Sequence, residues 1–260
     1  ATFNITGSTF TENSASYRGG AVAVWKEGGN TTGIRMQVTL DGNTFTGNST
    51  TINDSIEYEG GGGAVFLCGN AMGTFTANTF ANNTTANIGG AVFIKNDVKI
   101  PDRVLTFGAQ TADSAVDDSK ANTFTDNHAD AQGGAIYSGA SSDDATTTLF
   151  YGGRFESNSS NVGGGAVYLV SRRGRESDAA LIDGVTFVDN QGQRTAIGGA
   201  LYPKDGNHTF QNSTFTNNTT EWNAGGAIYT DWTEKVAVTN TKFDGNIAGA
   251  TRKSDARGGA

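Results

Sequence analysis

The chain has 260 residues, including 37 glycines, 2 prolines and 1 cysteine, and a formal net charge of −8. That acidic balance excludes nucleic acid, which needs a basic face, and the absence of a Gly-X-Y period excludes collagen. Abundant Gly, Asn and Thr disfavour helix, no stretch approaches the ~20 apolar residues of a membrane span, and a single cysteine permits no internal disulfide.

Read from the N-terminus, two motifs alternate without a miss. Phe is followed three positions later by Asn at Phe10/Asn13, Phe45/Asn48, Phe80/Asn83, Phe124/Asn127, Phe155/Asn158, Phe187/Asn190, Phe215/Asn218 and Phe243/Asn246. Gly-Gly-Ala ends at Ala21, Ala64, Ala91, Ala135, Ala166, Ala200, Ala227 and Ala260. Successive Phe residues lie 28 to 44 positions apart. A motif pair on a period of about 30 residues predicts a solenoid. Both ends of the chain fall inside a repeat and neither reads as a polar cap, so residues 1–260 are expected to be one β-helix segment sliced from a longer repeat protein.

The shortest repeat offers three strand-like runs: Ser213 to Thr216, Ala227 to Thr230 and Lys235 to Thr239. Each is rich in β-branched or aromatic residues and bounded by Asn, Gly or Asp. Three short strands per period, joined by turns, predict the coil of a parallel β-helix, all-β, with about seven to eight coils stacked ~4.8 Å apart. The motif Phe points inward and stacks on its counterpart in the next coil. The motif Asn closes a corner, where its amide can bond the amide one coil along and where a left-handed backbone is tolerated. Gly-Gly serves the next bend, where φ > 0 or close coil approach is needed. The aliphatic after Gly-Gly-Ala (Val22, Val65, Val92, Ile136, Val167, Leu201, Ile228) is expected inside. By alternation the following residue (Phe66, Phe93, Tyr137, Tyr168, Tyr202, Tyr229, with Ala23 as exception) faces outward as a surface stripe; the opposite register, with rings inward and aliphatics outward, is the alternative.

Together, Gly-Gly-Ala followed by Ile, Leu or Val and Phe-x-x-Asn resemble the repeats of the chlamydial polymorphic membrane proteins, and of similar large extracellular proteins of other bacteria, protists and algae. The resemblance implies a right-handed parallel β-helix that serves as the passenger of an autotransporter adhesin, displayed outside the cell or at its surface. This chain departs from that family in having almost no cysteine, no β-barrel translocator and no Pro-rich linker.

Every motif copy is spent on building coils, so the expected function is non-enzymatic: a rigid module of a fibre, stalk or adhesin that displays uneven loops. Its partners would be protein or glycan at the cell surface, or copies of itself in a filament. Insertions around Trp25 to Arg35, Asp54 to Glu59 and between Ala91 and Phe124 are the places for contact. Trp25, Tyr58, Trp222 and Trp232 lie near turns and are the candidate contact residues. Asn-x-Ser/Thr sequons at Asn4, Asn30, Asn48, Asn53, Asn82, Asn83, Asn158, Asn207, Asn212, Asn217 and Asn218 would accept glycans in a secreted eukaryotic protein.

Two other functions are weighed against this. A polysaccharide-degrading β-helix needs carboxylates in fixed mutual geometry, whereas Asp113/Asp117/Asp118 and Asp143/Asp144 sit in unequal loops. An ice-binding face would use the Thr pairs flanking Phe, at Thr9/Thr11, Thr44/Thr46, Thr123/Thr125 and Thr214/Thr216, but Arg154/Glu156 and Lys242/Asp244 interrupt them. His128 and His208 read as polar loop residues, the cluster Arg172, Arg173 and Arg175 as a solvated turn, and Cys68 as a small apolar residue, buried or half-buried. No spacing points to a metal or cofactor.

Overall fold

The structure is a computed structural model that describes residues 1–25, 36–52, 60–69, 71–96, 103–140, 146–171, 179–222, 224–250 and 258. It is a parallel β-helix. Among the described residues, three sheets of 13, 8 and 7 strands wrap one core, and nearly every strand pairs in register with its counterparts in the coils before and after. Eight coils are counted by the Phe strands, from Thr9–Thr11 to Lys242–Asp244, in which each motif Phe is the Cα partner of the next.

The three faces are not divided among the runs as the sequence suggested. Phe strands form one face. The second and third runs are two halves of a single long face, which Leu201–Gln211 shows by passing through both without a break. The remaining face is built from dipeptides that follow the motif Asn: Ser14–Ala15, Ser49–Thr50, Thr84–Thr85, His128–Ala129, Ser159–Ser160, Gln191–Gly192 and Thr219–Thr220. Two residues are too few for a periodicity signal, so this face is not visible in the sequence.

The motif Phe residues stack with ring centroids 4.6–5.0 Å apart and ring planes within 11° of parallel. That separation is the strand spacing itself, so a ring on each coil fills the core without any adjustment of the backbone. A second stack, Phe75, Phe107 and Phe150, lines the long face and meets the first edge-on at Phe107–Phe124 and Phe150–Phe155. The aliphatic residues after Gly-Gly-Ala join this core from coil to coil, as expected.

The aromatic residues that follow them are neither a surface stripe nor part of that core. Phe66, Phe93, Tyr137, Tyr168 and Tyr202 are buried in a separate cluster with Cys68 and Ile88, against which Ala131, Val170, Ile197 and Tyr229 pack. Alternation correctly turns them away from the main core. The corner segment leading into Gly-Gly then folds against their outer side: a Cβ on Gly163 would meet the rings of both Tyr168 and Tyr202.

Candidate functional site

The inner frame is an amide ladder. From each motif Asn the backbone N–H and one Nδ2 hydrogen reach Oδ1 of the next coil's Asn, at 2.8–3.1 Å through all seven steps from Asn13 to Asn246. From Asn48 onward, the other Nδ2 hydrogen returns to the carbonyl of the motif Phe one coil back, at 2.9–3.0 Å. From Asn48 to Asn218 each buried amide therefore makes all four of its hydrogen bonds, which removes the cost of burying it. The left-handed turn expected at the ladder Asn is displaced: it falls on the residue before. Glu12, Gly47, Asn82, Asp126, Ser157, Asp189, Asn217 and Gly245 all have φ between 53° and 64°.

Asn190 illustrates the correction. It is fully buried, its left-handed neighbour is Asp189, and its amide is taken up by Asn158, Asn218 and the Phe155 carbonyl. With every polar atom of its side chain engaged, Asn190 is a structural rung with nothing to offer a ligand, and the same holds for Asn127. A second, shorter ladder, Asn43 to Asn78 to Asn122, braces the corner before the Phe strand with the same pattern at 3.0 Å. Its signal is present as Asn-Thr-Phe in three successive repeats.

The two motif glycines have separate jobs. The first is left-handed in all eight copies, with φ from 54° to 72°. Among the described copies the second has no left-handed backbone, but in the six from Gly20 to Gly199 a Cβ would overlap the carbonyl oxygen of the second glycine one coil on. Backbone approaches backbone there, and only a hydrogen side chain fits.

Outside this frame lies the candidate interaction surface. The long face is interrupted at one seam: the chain leaves after Trp25, Cys68, Asn96, Ala140 and Val170 and re-enters at Met36, Ala71, Arg103, Thr146 and Ala179. Because both sets of strands pair in register, the five exits stack above one another, as do the five re-entries. Tyr58, the sequons at Asn30 and Asn53, Asp143/Asp144 and the Arg172–Arg175 cluster lie outside the described residues. The long insertion between Ala91 and Phe124 is divided. One part falls at the seam, and the other is a corner excursion containing an antiparallel bridge, Gln110 to Val116, and a 3-10 turn at Asp118–Lys120. There Asp117 accepts from the Ser119 N–H at 3.1 Å, and Lys120 Nζ stands 3.4 Å from Asp41 Oδ1. The Thr76 hydroxyl, helped by Lys120, holds the Asp41 carboxyl below its ordinary range.

Trp25, Trp222 and Trp232 are exposed, at 49%, 37% and 56%. Trp25 opens onto the seam and lies under the Arg18 guanidinium, 3.9 Å from its ring centroid, with the rings of Tyr17 and Phe66 at 4.7 and 5.2 Å from the same group. Trp232 sits in left-handed backbone at φ 55°, a conformation that costs a bulky residue on the order of 1 kcal/mol or more. The sequons divide sharply. Asn48, Asn83, Asn158 and Asn218 are fully buried rungs of the ladder with both amide hydrogens bonded, which no attached glycan would permit. Asn4, Asn82, Asn212 and Asn217 are exposed, and Asn207 is half-buried.

Neither histidine is a loop residue. His128 belongs to a dipeptide strand with its ring facing out, whereas His208 is buried within Leu201–Gln211, between the register partners Ala180 and Val236. Burial pushes the His208 imidazole down to about 4. Cys68 is buried, as expected. The Thr pairs flanking Phe do face outward, and the two interruptions are local ion pairs: Arg154 Nε to Glu156 Oε2 at 2.8 Å and Lys242 Nζ to Asp244 Oδ2 at 2.9 Å. Among the described residues, no group of three or more His, Cys, Asp or Glu is placed to hold a metal ion, and no helix is long and apolar enough to cross a membrane.

No curated protein and no solved structure matches this chain. The family model described as the Chlamydia polymorphic membrane protein repeat does match it, at residues 7–24 and 123–139. Each matched stretch holds one Phe-x-x-Asn and one Gly-Gly-Ala, so the structural unit repeated along this rod is similar to the repeat of those surface proteins.

Proposed function

We propose that this segment is a non-catalytic module of an extracellular or cell-surface fibre, stalk or adhesin, a rigid rod whose ladders hold a stacked row of variable loops at one seam. The observation that carries this reading is the division between an invariant frame and a variable edge. Coils differ by up to 16 residues in length, with ladder steps of 28 to 44 positions, yet the amide bond between them stays at 2.8–3.0 Å. Five of the breaks in coil length stack at the seam, which is how a scaffold presents binding loops. The surface match of the repeat model supports the location. Trp25 and Trp232 are the proposed anchors, Trp232 because a bulky ring more than half exposed is held in strained backbone. Exposed sequons at Asn4, Asn82, Asn212 and Asn217 are the places where a eukaryotic source would attach glycans.

The test replaces residues 97–102 and 172–178 by Gly-Ser linkers of equal length, alone and with Trp25→Ala and Trp232→Ala. The variants are then titrated on cell-surface protein and glycan arrays. The β-sheet circular dichroism should be retained while binding of the parent chain falls by about ten-fold, the loss of roughly 1.4 kcal/mol. Binding that survives all of these changes would remove the seam as the interaction surface. A second reading rests on the outward Thr pairs of the first, second and fourth coils; inhibition of ice recrystallisation that is lost in Thr44→Val/Thr46→Val would favour it instead.

A further inference from the structure

On the dipeptide face, away from the seam, one side-chain cluster has the composition of a nucleophilic site. His128 and Ser159 are register partners on adjacent coils and share one outward row. Ser159 Oγ lies 2.8 Å from His128 Nδ1, and His128 Nε2 lies 3.3 Å from Asp130 Oδ1. The same Asp130 oxygen receives Asn161 Nδ2 at 3.2 Å, from the coil that carries Ser159. A carboxylate can only accept, so the ring proton is placed on Nε2. Nδ1 is then left with a lone pair facing the serine hydroxyl, and Ser159 donates to it. Hydroxyl, imidazole and carboxylate are thus connected in the order used by serine hydrolases, with the two ring nitrogens exchanged.

The frame beneath makes this arrangement rigid. His128 directly follows Asn127 and Ser159 directly follows Asn158, and those two ladder amides are bonded at 2.9 Å. The Ser159 backbone N–H is fixed on the Asn127 carbonyl at 2.9 Å. Gln191 follows on the next coil in the same row, and its Oε1 is occupied by Gln193 Nε2 at 3.1 Å. Its own amide hydrogens remain available as donors to an oxyanion. Ser14 and Ser49 occupy the same row without an imidazole; Ser49 Oγ donates only to Ser14 Oγ, at 3.1 Å.

We propose that Ser159 is an activated nucleophile that accepts an acyl group from an activated ester. Ser159 Oγ bonds to the acyl carbon as its proton passes to His128 Nδ1. The bond from acyl carbon to leaving oxygen then breaks, and the leaving alkoxide or phenoxide departs with that proton, which restores neutral imidazole and leaves an ester on Ser159. No oxidant or further reactant is consumed.

The probe is p-nitrophenyl acetate, with phenolate release followed by absorbance and the acetylated residue found by peptide mapping. Ser159 should be acetylated about 100-fold faster than Ser14 or Ser49, the usual scale of a positioned base. His128→Gln should remove that advantage, and Asp130→Asn should reduce it. Ser159→Ala, with His128 retained, separates a serine ester from transient acylation of the imidazole. All three side chains face outward, so unchanged circular dichroism is expected and is checked for each variant. An advantage over Ser14 and Ser49 below about ten-fold, or one that persists in His128→Gln, overturns the proposal.

Discussion

At the scale of the single residue, the ladder asparagine carries more of this fold than its size suggests. Asn127 accepts from the backbone N–H and Nδ2 of Asn83 and donates to Phe80 O and Asn158 Oδ1. Alanine at that position strands two donors and a carbonyl in a buried corner, at about 1–3 kcal/mol for each group. Asn127→Ala should therefore lose about 3–6 kcal/mol in urea unfolding. Asn13→Ala, at an exposed rung whose amide donates to Asn48, should lose about 1 kcal/mol. Equal losses at the two sites would mean that the buried amides are not what the ladder contributes. The sequence reveals both the residue and its partners. It does not reveal that the left-handed turn falls one position earlier, because Glu12, Asn82, Asp126 and Ser157 share no side-chain type that would mark it.

At the scale of the element, the corners make two kinds of demand that the sequence writes with one letter. Gly7, at the corner before the first Phe strand, has φ 55° and open space where a Cβ would stand, so Gly7→Ala meets only the left-handed penalty of about 1 kcal/mol. Gly134 has no left-handed backbone, yet its Cβ would overlap the carbonyl of Gly165. Gly134→Ala should lower the thermal midpoint clearly more than Gly7→Ala; a smaller effect would show that the coils can separate there at little cost. The strand runs themselves are legible, since Val, Thr and aromatic residues bounded by Asn and Gly declare themselves. Their allocation to faces is not. Two of the runs are joined in Leu201–Gln211 but parted at the seam in the five coils before it, and a period-2 pattern says which way a side chain points without saying what waits on that side. Ile88 and Ile197, each immediately before Gly-Gly, are the available sign that the aromatic row is covered.

At the scale of the whole molecule, stability comes from contacts between neighbouring coils. Among the buried polar residues, His208 has a consequence for pH. Its imidazole is held neutral, with a pKa of about 4 against 6.5 when free in solution. A depressed value means that the unfolded chain takes up the proton first. The contribution of His208 to stability is therefore level above about pH 6.5, falls as the pH drops toward 4, and levels again below that, for a total on the order of 3 kcal/mol. Asp41 and Glu156, both lowered by their partners, act in a lower window, as their carboxylates protonate. His208→Leu should flatten the urea midpoint between pH 6.5 and 4 while leaving the fall below pH 4. A slope unchanged by the substitution would place the acid sensitivity elsewhere. Nothing in the sequence separates this histidine from His128; burial depends on which side of a strand faces the core, and the polar text around both reads as loop.

The amide ladder also has a direction. Toward the following coil, each rung offers two N–H groups and a phenylalanine carbonyl; toward the preceding coil, it offers one oxygen and one N–H. The two ends of any stretch of this rod are chemically unlike, as the poles of a magnet are. Opposite poles can continue the ladder bond for bond, whereas two like poles cannot reproduce that pattern. A joining that continued this ladder would therefore run head to tail, with the order of coils keeping the same sense from end to end.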